Sequence, residues 1–159
     1  MLAACSDPVH EQQLDALGEE APGVPPGPLH RPGQPCGVCH GPEGPAERSF
    51  SVSGTVYLAD EGEAPLPGAR VRLLDAAGSS VSVETNCAGN FFLTSDELAP
   101  EYPLWVKVEL GEQVVEMRSA ISRERSCAGC HARPAGPASP GQVYFYTASA
   151  APSEVPSCE

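Results

Sequence analysis

The sequence is short of basic residues, and it has no long apolar run. Only 9 Lys and Arg stand against 21 Asp and Glu, so the net charge is −12. Such a surface repels phosphate groups, which argues against a nucleic-acid partner. Because no run of about 18 apolar residues is present, we expect no transmembrane helix. We also find no Ser/His/Asp set, no phosphate-binding loop and no basic aromatic patch.

Proline, glycine and cysteine are, by contrast, abundant. The 159 residues include 18 Pro and 16 Gly, so we expect one domain with much loop and linker. Seven Cys in a chain of this size fit an oxidising compartment. The acidic surface suits protein partners that have basic docking surfaces.

The sequence divides into six stretches. Residues 6–35 are acidic and rich in Pro and Gly, which indicates an extended tether. Within it, Asp7 and Pro8 predict the start of a short helix that ends near Gly18. The other stretches are a lipoprotein-signal-like remnant (1–5), a first motif loop (36–49), a strand-rich body (50–126), a second motif loop (127–141), and a final strand with a tail (142–159).

The body shows the alternation of apolar and polar side chains that is typical of β-strands. Phe50, Val52 and Val56 are separated by polar or small residues, and Val71 and Leu73 by an arginine. The predicted strands are 50–58, 69–74, 81–85, 91–94, 104–110, 113–118 and 142–147. With almost no helix between them, they predict a mainly β fold. We expect a seven-stranded antiparallel, immunoglobulin-like sandwich with the motif loops at its ends.

Three blocks of the body resemble a known family. In chain order they are Gly54-Thr55-Val56, Pro67-Gly68-Ala69-Arg70-Val71-Arg72-Leu73 and Thr85-Asn86-Cys87-Ala88-Gly89-Asn90-Phe91. Over residues 50–118 the chain resembles the carboxypeptidase regulatory-like, or transthyretin-like, β-sandwich family. The resemblance implies a fold and no chemistry, because members of that family are mostly binding or spacer modules. Cys87 stands where the family usually has another residue.

Two Cys-x-x-Cys-His motifs carry the strongest chemical signal. They are Cys36-Gly37-Val38-Cys39-His40 and Cys127-Ala128-Gly129-Cys130-His131, and this is the c-type haem attachment pattern. Two thiols three residues apart lie on one side of a helical turn, from which they can bond to the two haem vinyl groups. The imidazole that follows reaches the iron as proximal ligand. We therefore expect two covalent haem c groups, attached through Cys36, Cys39, Cys127 and Cys130 and ligated by His40 and His131.

Zinc sites and redox dithiols use similar residues. Zinc is held by paired Cys with or without His, and a redox dithiol uses Cys-x-x-Cys alone. The dithiol belongs in a βαβ unit, which this sequence lacks. Two complete motifs in one short chain therefore favour haem over both alternatives.

The segments that follow the two motifs echo each other. The residues after His40 resemble those after His131 with one residue inserted, and a strand follows each motif about ten residues later. If the first and last strands run parallel, both haems lie at the same end of the domain. An electron would then pass between them.

A six-coordinate haem needs a second ligand on the far side of the iron. Two of the four His are proximal, so the candidates are His30, His10 and Met117. The chain resembles small bacterial multihaem proteins that carry His-x-Pro-Gly-x-x-Cys-x-x-Cys-His, matched from His30 onward, and a Met ten residues before the second motif. That resemblance implies His30 and Met117 as distal ligands. His10 is the rival, because apolar side chains share its predicted helix face. If they are not ligands, His30 is a solvated linker residue and Met117 packs in the core.

Three cysteines lie outside the motifs. Leu2-Ala3-Ala4-Cys5 resembles the end of a bacterial lipoprotein signal, which implies a lipid on Cys5 and a start codon further upstream; a free thiol is the alternative. Cys87 and Cys158 then remain as a candidate disulfide, unless Cys87 is a buried thiol. Together these residues predict the periplasm or the cell surface, including an outer-membrane lipoprotein. The membrane would be reached only through the lipid.

The motifs predict an outer-sphere electron carrier rather than an enzyme, with redox proteins as partners. A haem peroxidase would need an open iron and acid–base groups, for which Glu43 and Glu47 are the nearest candidates. A third interpretation is a structural or surface-binding module of the cell envelope. In that case haem or zinc is an accessory.

Overall fold

A computed structural model describes residues 7–158, and in that range the chain has seven strands in two sheets and little helix. The fold is therefore mainly β, as the side-chain alternation predicts. The ends of each strand lie within two residues of those predicted. The strands are β1 (Phe50–Ala59), β2 (Arg70–Leu74), β3 (Ser80–Glu84), β4 (Asn90–Thr94), β5 (Trp105–Leu110), β6 (Gln113–Glu116) and β7 (Val143–Tyr146).

One sheet has the strand order β4-β1-β7, and the other has the order β3-β2-β5-β6. A single buried cluster contains side chains from both sheets, including Val56 of β1, Val71 of β2 and Phe91 of β4. Strand β2 alternates as predicted, because Val71 and Leu73 are buried while Arg70 and Arg72 are exposed. Burial of these apolar side chains holds the two sheets to one core.

Strands β1 and β7 pair in parallel, with Val56 beside Val143. The prediction of a wholly antiparallel fold is wrong for this pair, whereas the other four strand pairs are antiparallel. Each of the two parallel strands is entered from a Cys-x-x-Cys-His loop. Because the two strands run in the same direction, both loops lead into the sheet from the same end.

Helix α1 (Pro8–Leu17) begins and ends where the sequence predicts. The Asp7 carboxylate accepts a hydrogen bond from the Val9 backbone N–H at 2.9 Å, and Gly18 follows the last helical residue with φ +64°. Such a cap satisfies one of the free N–H groups at a helix start. In the described range, no helix has the length and apolar content needed to cross a bilayer. Cys5 and its predicted lipid lie outside the described residues.

Residues 28–34 belong to the stretch that the composition predicts to be an extended tether. In the structure they lie against the body, where Asn86 Nδ2 donates to the Pro28 carbonyl at 2.7 Å. On the other side, Arg31 donates to the Leu17 carbonyl of α1 at 3.1 Å. This end of the stretch is docked on the folded part through hydrogen bonds between its residues and both the body and α1.

Cys87 and Cys158 form a disulfide with a Cα–Cα distance of 5.4 Å. The bond joins the C-terminal tail to the turn that precedes β4. Because 71 residues separate the two cysteines, the closed loop is long. In the chain-entropy account such a cross-link stabilises the folded state by about 4 kcal/mol.

Candidate functional site

The first motif forms helix α2 (Cys36–His40), a single short turn and a half. Cys36, Cys39 and His40 all line one cavity of about 430 Å³, which we call the first cavity. The helical spacing explains this convergence, because residues three and four apart share one helix face. Both thiols and the imidazole therefore open into the same space.

The His40 ring is held in a fixed orientation. Its Nδ1 donates to the Arg48 carbonyl at 2.8 Å, and the ring stacks on Phe50 with centroids 4.0 Å apart. A carbonyl oxygen can only accept, so Nδ1 carries the proton and Nε2 keeps its lone pair. Metal-ligating histidines are oriented in this way by a second hydrogen bond.

A second imidazole, that of His30, faces His40 across the first cavity. The two ring centroids lie 5.8 Å apart, and the rings are tilted by 35°. His30 Nδ1 donates to the Gly27 carbonyl, so its Nε2 is also left with a free lone pair. Both rings line the first cavity, so a metal-bearing group bound there would meet two imidazoles whose Nε2 atoms are free to ligate.

The rest of the first cavity is largely apolar. Leu17, Pro35, Phe91 and Phe92 contribute to its lining. An apolar wall with a pair of nitrogen donors and two thiols fits a flat apolar ring whose metal needs axial ligands. The residues present in this cavity therefore fit a c-type haem.

The second motif starts in a 3₁₀ turn at Cys127–Gly129, packed against β1. The Ser53 backbone N–H donates to the Arg125 carbonyl at 2.8 Å, which fixes the entry to the turn. Gly54 faces the turn, and a Cβ at that position would lie 2.9 Å from the Cys127 sulfur. That distance is too short for a real contact, so the absence of a side chain at Gly54 gives Cys127 its place.

His131 is oriented in the same manner as His40. Its Nδ1 donates to the Gly141 carbonyl at 3.0 Å, which again leaves Nε2 free. Gly141 precedes the start of β7 by two residues, and Arg48 precedes the start of β1 by two residues. The echo between the two post-motif segments thus has a structural counterpart. Each segment turns back so that the carbonyl two residues before the strand anchors the histidine.

A second cavity of about 440 Å³ is lined by Cys127 and His131. Tyr57, Arg133 and Gln142 add polar groups to it, and burial raises the pKa of the Tyr57 hydroxyl. Among the described residues that line this cavity there is no second histidine and no methionine. The second site therefore has one anchored imidazole, that of His131, and no second imidazole in its lining among the described residues.

The predicted distal ligands occupy different parts of the molecule. His30 faces His40, as described above. Met117 follows β6 on the four-stranded sheet, where its backbone N–H donates to the Val106 carbonyl at 3.0 Å, and it lines neither cavity. His10 lies half-buried on α1 and also lines neither cavity, but its Nε2 is buried without a hydrogen-bond partner among the described residues.

The two motifs lie next to each other. A Cβ on Gly37 would lie 3.5 Å from the Ser126 Cβ, which is ordinary van der Waals contact. Leu17, Gln34 and Pro35 line both cavities and form a shared wall between them. The first and last strands are parallel, and the motifs that precede them meet beside the first half of β1.

The first cysteine of each motif sits in a poorly solvated place. Burial raises the pKa of the Cys36 thiol, with the Ser53 hydroxyl acting in the opposite direction. Burial, reinforced by the proximity of Cys36, raises the pKa of Cys127 to about 12. Both groups are therefore thiols at neutral pH, whereas the side chain of Cys130 is exposed.

The comparisons with known proteins add no assignment to this geometry. No protein-family model, no curated protein and no solved structure matches the chain. Across residues 7–158, no group of three or more His, Cys, Asp or Glu side chains is arranged to hold a bare metal ion. The functional interpretation therefore rests on the two motifs and their surroundings.

Sequence reasoning missed the groups that orient the histidines. The Arg48 and Gly141 carbonyls are backbone atoms, so no residue type marks them. The echo after His40 and His131 was the available signal, since similar spacing to the next strand requires a similar turn. Sequence reasoning also missed the contacts that Thr55 and Asn90 make to the segment bearing His30.

Proposed function

We propose that this chain is a dihaem c-type cytochrome of the bacterial cell envelope, which carries electrons between protein partners. The observation that carries the proposal is the facing pair His30 and His40 beside the paired thiols of Cys36 and Cys39. When bound, haem iron supplies reversible one-electron chemistry. The residues of the chain attach the group, choose its axial ligands and set its exposure.

For the first haem, Cys36 and Cys39 would provide the two sulfurs that attach the group, and His40 and His30 would provide the nitrogens that ligate its iron. The hydrogen bonds from Nδ1 of both rings to backbone carbonyls keep Nε2 free and the rings in place. An iron with two protein ligands has no open position for a substrate. This arrangement supports a carrier rather than a peroxidase.

For the second haem, Cys127 and Cys130 provide the sulfurs and His131 the proximal nitrogen. We favour His10 over Met117 as its sixth ligand. A buried ring nitrogen without a partner is costly, by about 1–3 kcal/mol, and ligation of a metal would remove that cost. The helix that bears His10 also contributes Ala16 and Leu17 to the second cavity. Met117, by contrast, would have to leave its place at the end of β6.

The choice of ligand sets the relative potentials of the two haems. A methionine ligand raises the potential of a c-type haem relative to a second histidine. With Met117 at the second haem, the two potentials would differ and electrons would flow towards it. With His10, both haems have two histidines, and differences in exposure alone would separate their potentials.

Contact between the motifs supports transfer inside the molecule. The Gly37–Ser126 approach and the wall shared by the cavities place the attachment cysteines of both sites close together. We expect an electron that enters at one haem to reach the other. An acidic surface with a net charge of −12 would dock on partners with basic surfaces.

The strand-rich part would serve as the scaffold. We propose that its two sheets form the transthyretin-like sandwich that residues 50–118 resemble, since one buried cluster contains side chains from both sheets. The lipid on Cys5 and a place in the periplasm or at the cell surface remain proposals from the sequence. An oxidising compartment agrees with the Cys87–Cys158 disulfide.

Reduction of the purified protein, followed by exposure to carbon monoxide, tests the proposed function. A carrier with two six-coordinate haems should show the sharp visible bands of a reduced cytochrome and bind little carbon monoxide. Binding at both haems together with turnover of peroxide would favour the peroxidase. A colourless protein that contains zinc would favour the structural or surface-binding module with an accessory zinc ion.

A further inference from the structure

The segment that carries His30 has neither helix nor strand of its own between residues 18 and 35. Its side chains alone do not fix where the imidazole lies, because Pro and Gly give it few apolar groups to bury. Its position is therefore set by bonds from the folded body. Besides the bonds of Asn86 and Arg31 described above, two neighbouring buried side chains bind the segment: Thr55 of β1 and Asn90 of β4, which pair across the strands.

Asn90 binds the segment directly. Its Nδ2 donates to the His30 carbonyl at 3.0 Å and lies 3.3 Å from the Pro28 carbonyl. Its Oδ1 accepts from the Thr55 hydroxyl at 2.6 Å. That bond fixes which way the amide points, since the oxygen must face Thr55 and the nitrogen must face the segment.

Thr55 binds the segment on the other side of His30. Its hydroxyl oxygen accepts from the Gly33 backbone N–H at 2.7 Å while its proton goes to Asn90. Both side chains are buried, with Thr55 5% and Asn90 7% exposed. Low solvent access strengthens such a network and makes its loss costly. Asn86 adds one more exposed bond, from Nδ2 to the Pro28 carbonyl at 2.7 Å.

We infer that Thr55 and Asn90 are positioning residues that hold His30 against the iron of the first haem, and so keep that haem closed to external ligands. This inference rests on the proposed function. The two residues touch the backbone on both sides of His30 rather than the imidazole itself. They act by fixing the segment, while the Gly27 carbonyl fixes the ring.

Two variants that preserve side-chain shape test the inference. Thr55→Val removes the hydroxyl, and Asn90→Asp puts a carboxylate oxygen where the amide donor faces two carbonyls. Thr85→Val is the matched control. Thr85 is also 5% exposed and its hydroxyl also makes two bonds, donating to the Leu66 carbonyl and accepting from the Ala69 N–H, but neither bond reaches the His30 segment.

The measurement is carbon monoxide binding to the reduced dihaem protein. His30→Ala serves as the reference in which the first haem has lost its second protein ligand and is fully open to carbon monoxide. We expect Thr55→Val and Asn90→Asp to raise the open fraction of that haem about tenfold, which corresponds to about 1.4 kcal/mol. Thr55→Ser should restore the wild-type level, because it returns the hydroxyl. Thr85→Val should lower the unfolding midpoint while leaving carbon monoxide binding unchanged.

The inference is overturned if Thr55→Val and Asn90→Asp lose stability but bind carbon monoxide as weakly as Thr85→Val. If either buried variant fails to fold, Asn86→Asp decides the matter, because it keeps the oxygen that accepts from the Ala88 and Asn90 N–H groups and removes the donor to the Pro28 carbonyl. It is expected to give a smaller rise of the same kind, and no rise would count against the inference. Failure of the proposed function looks different. In that case the unaltered protein carries no covalent haem at all.

Discussion

The two Cys-x-x-Cys-His sites are built alike on the proximal side and differently on the distal side. In both, the histidine Nδ1 donates to a carbonyl two residues before a strand. The first site then has His30 facing its histidine, held by a docked segment. The second has an exposed cysteine, Cys130, and a cavity lined among the described residues by no further His or Met.

This difference shows that the motif and the rest of the fold position different groups of each site. The five-residue motif and the turn after it suffice to place two thiols and one imidazole. The opposite side of each cavity is supplied by segments far away in the sequence. Because the distal ligand and the exposure of a haem set its potential, the two sites should differ in redox behaviour even though their motifs are equivalent.

Removing the attachment cysteines of one site should have the largest effect. Cys36→Ala with Cys39→Ala should yield a protein with one haem, and Cys127→Ala with Cys130→Ala should do the same, because each thioether pair serves one group. Haem content per polypeptide measures this. Cys87→Ser is the control, since it removes the disulfide and should retain both haems; a double variant that keeps two haems would refute the assignment.

Replacing the distal histidines should open one haem at a time. His30→Ala should let carbon monoxide bind at the first haem, and His10→Ala should let it bind at the second, because each loses its sixth ligand. Met117→Leu, which keeps the volume of the side chain, should change neither. Titration of the reduced protein with carbon monoxide gives the stoichiometry. If Met117→Leu opens a haem and His10→Ala does not, the assignment of the second site is wrong.

A methyl group at Gly54 should destabilise the protein, because Gly54 packs against both the second motif and the core. The added Cβ would lie 2.9 Å from both the Cys127 sulfur and the Phe91 ring, so the 3₁₀ turn or the core must shift. We expect Gly54→Ala to lower the free energy of unfolding by about 1–3 kcal/mol. Gly136→Ala is the control, because nothing lies within 4 Å of a Cβ there. Equal stability of the two variants would contradict this packing.

The helix cap should give the smallest effect. Asp7→Ala removes the bond to the Val9 N–H and should cost about 1 kcal/mol of helix stability. Because the capped start of α1 bears His10 while its far end, at Leu17, borders both cavities, the loss should loosen the second haem more than the first, which visible spectra during mild denaturation would reveal. Asp15→Ala removes a charge from the same helix without touching the cap. A response of the first haem alone would show that α1 serves the other site.

Much of the fold follows from local patterns in the sequence. The alternation of Val71 and Leu73 with arginines gives β2, and Asp7 with Gly18 gives the ends of α1. The parallel pairing of β1 and β7 could not be read in this way, because alternation reports which face is buried and not which strand lies alongside. The docking of residues 28–34 was missed for a similar reason. Proline and glycine content describes an isolated chain and says nothing of Asn86 or Asn90.

Intact mass of the denatured protein, produced in a host that matures c-type cytochromes, tests the central claim most directly. Thioether bonds survive denaturation, so the account predicts a polypeptide carrying the added mass of two haem groups. A polypeptide of unmodified mass, with its four motif cysteines free to react with a thiol reagent, would contradict it.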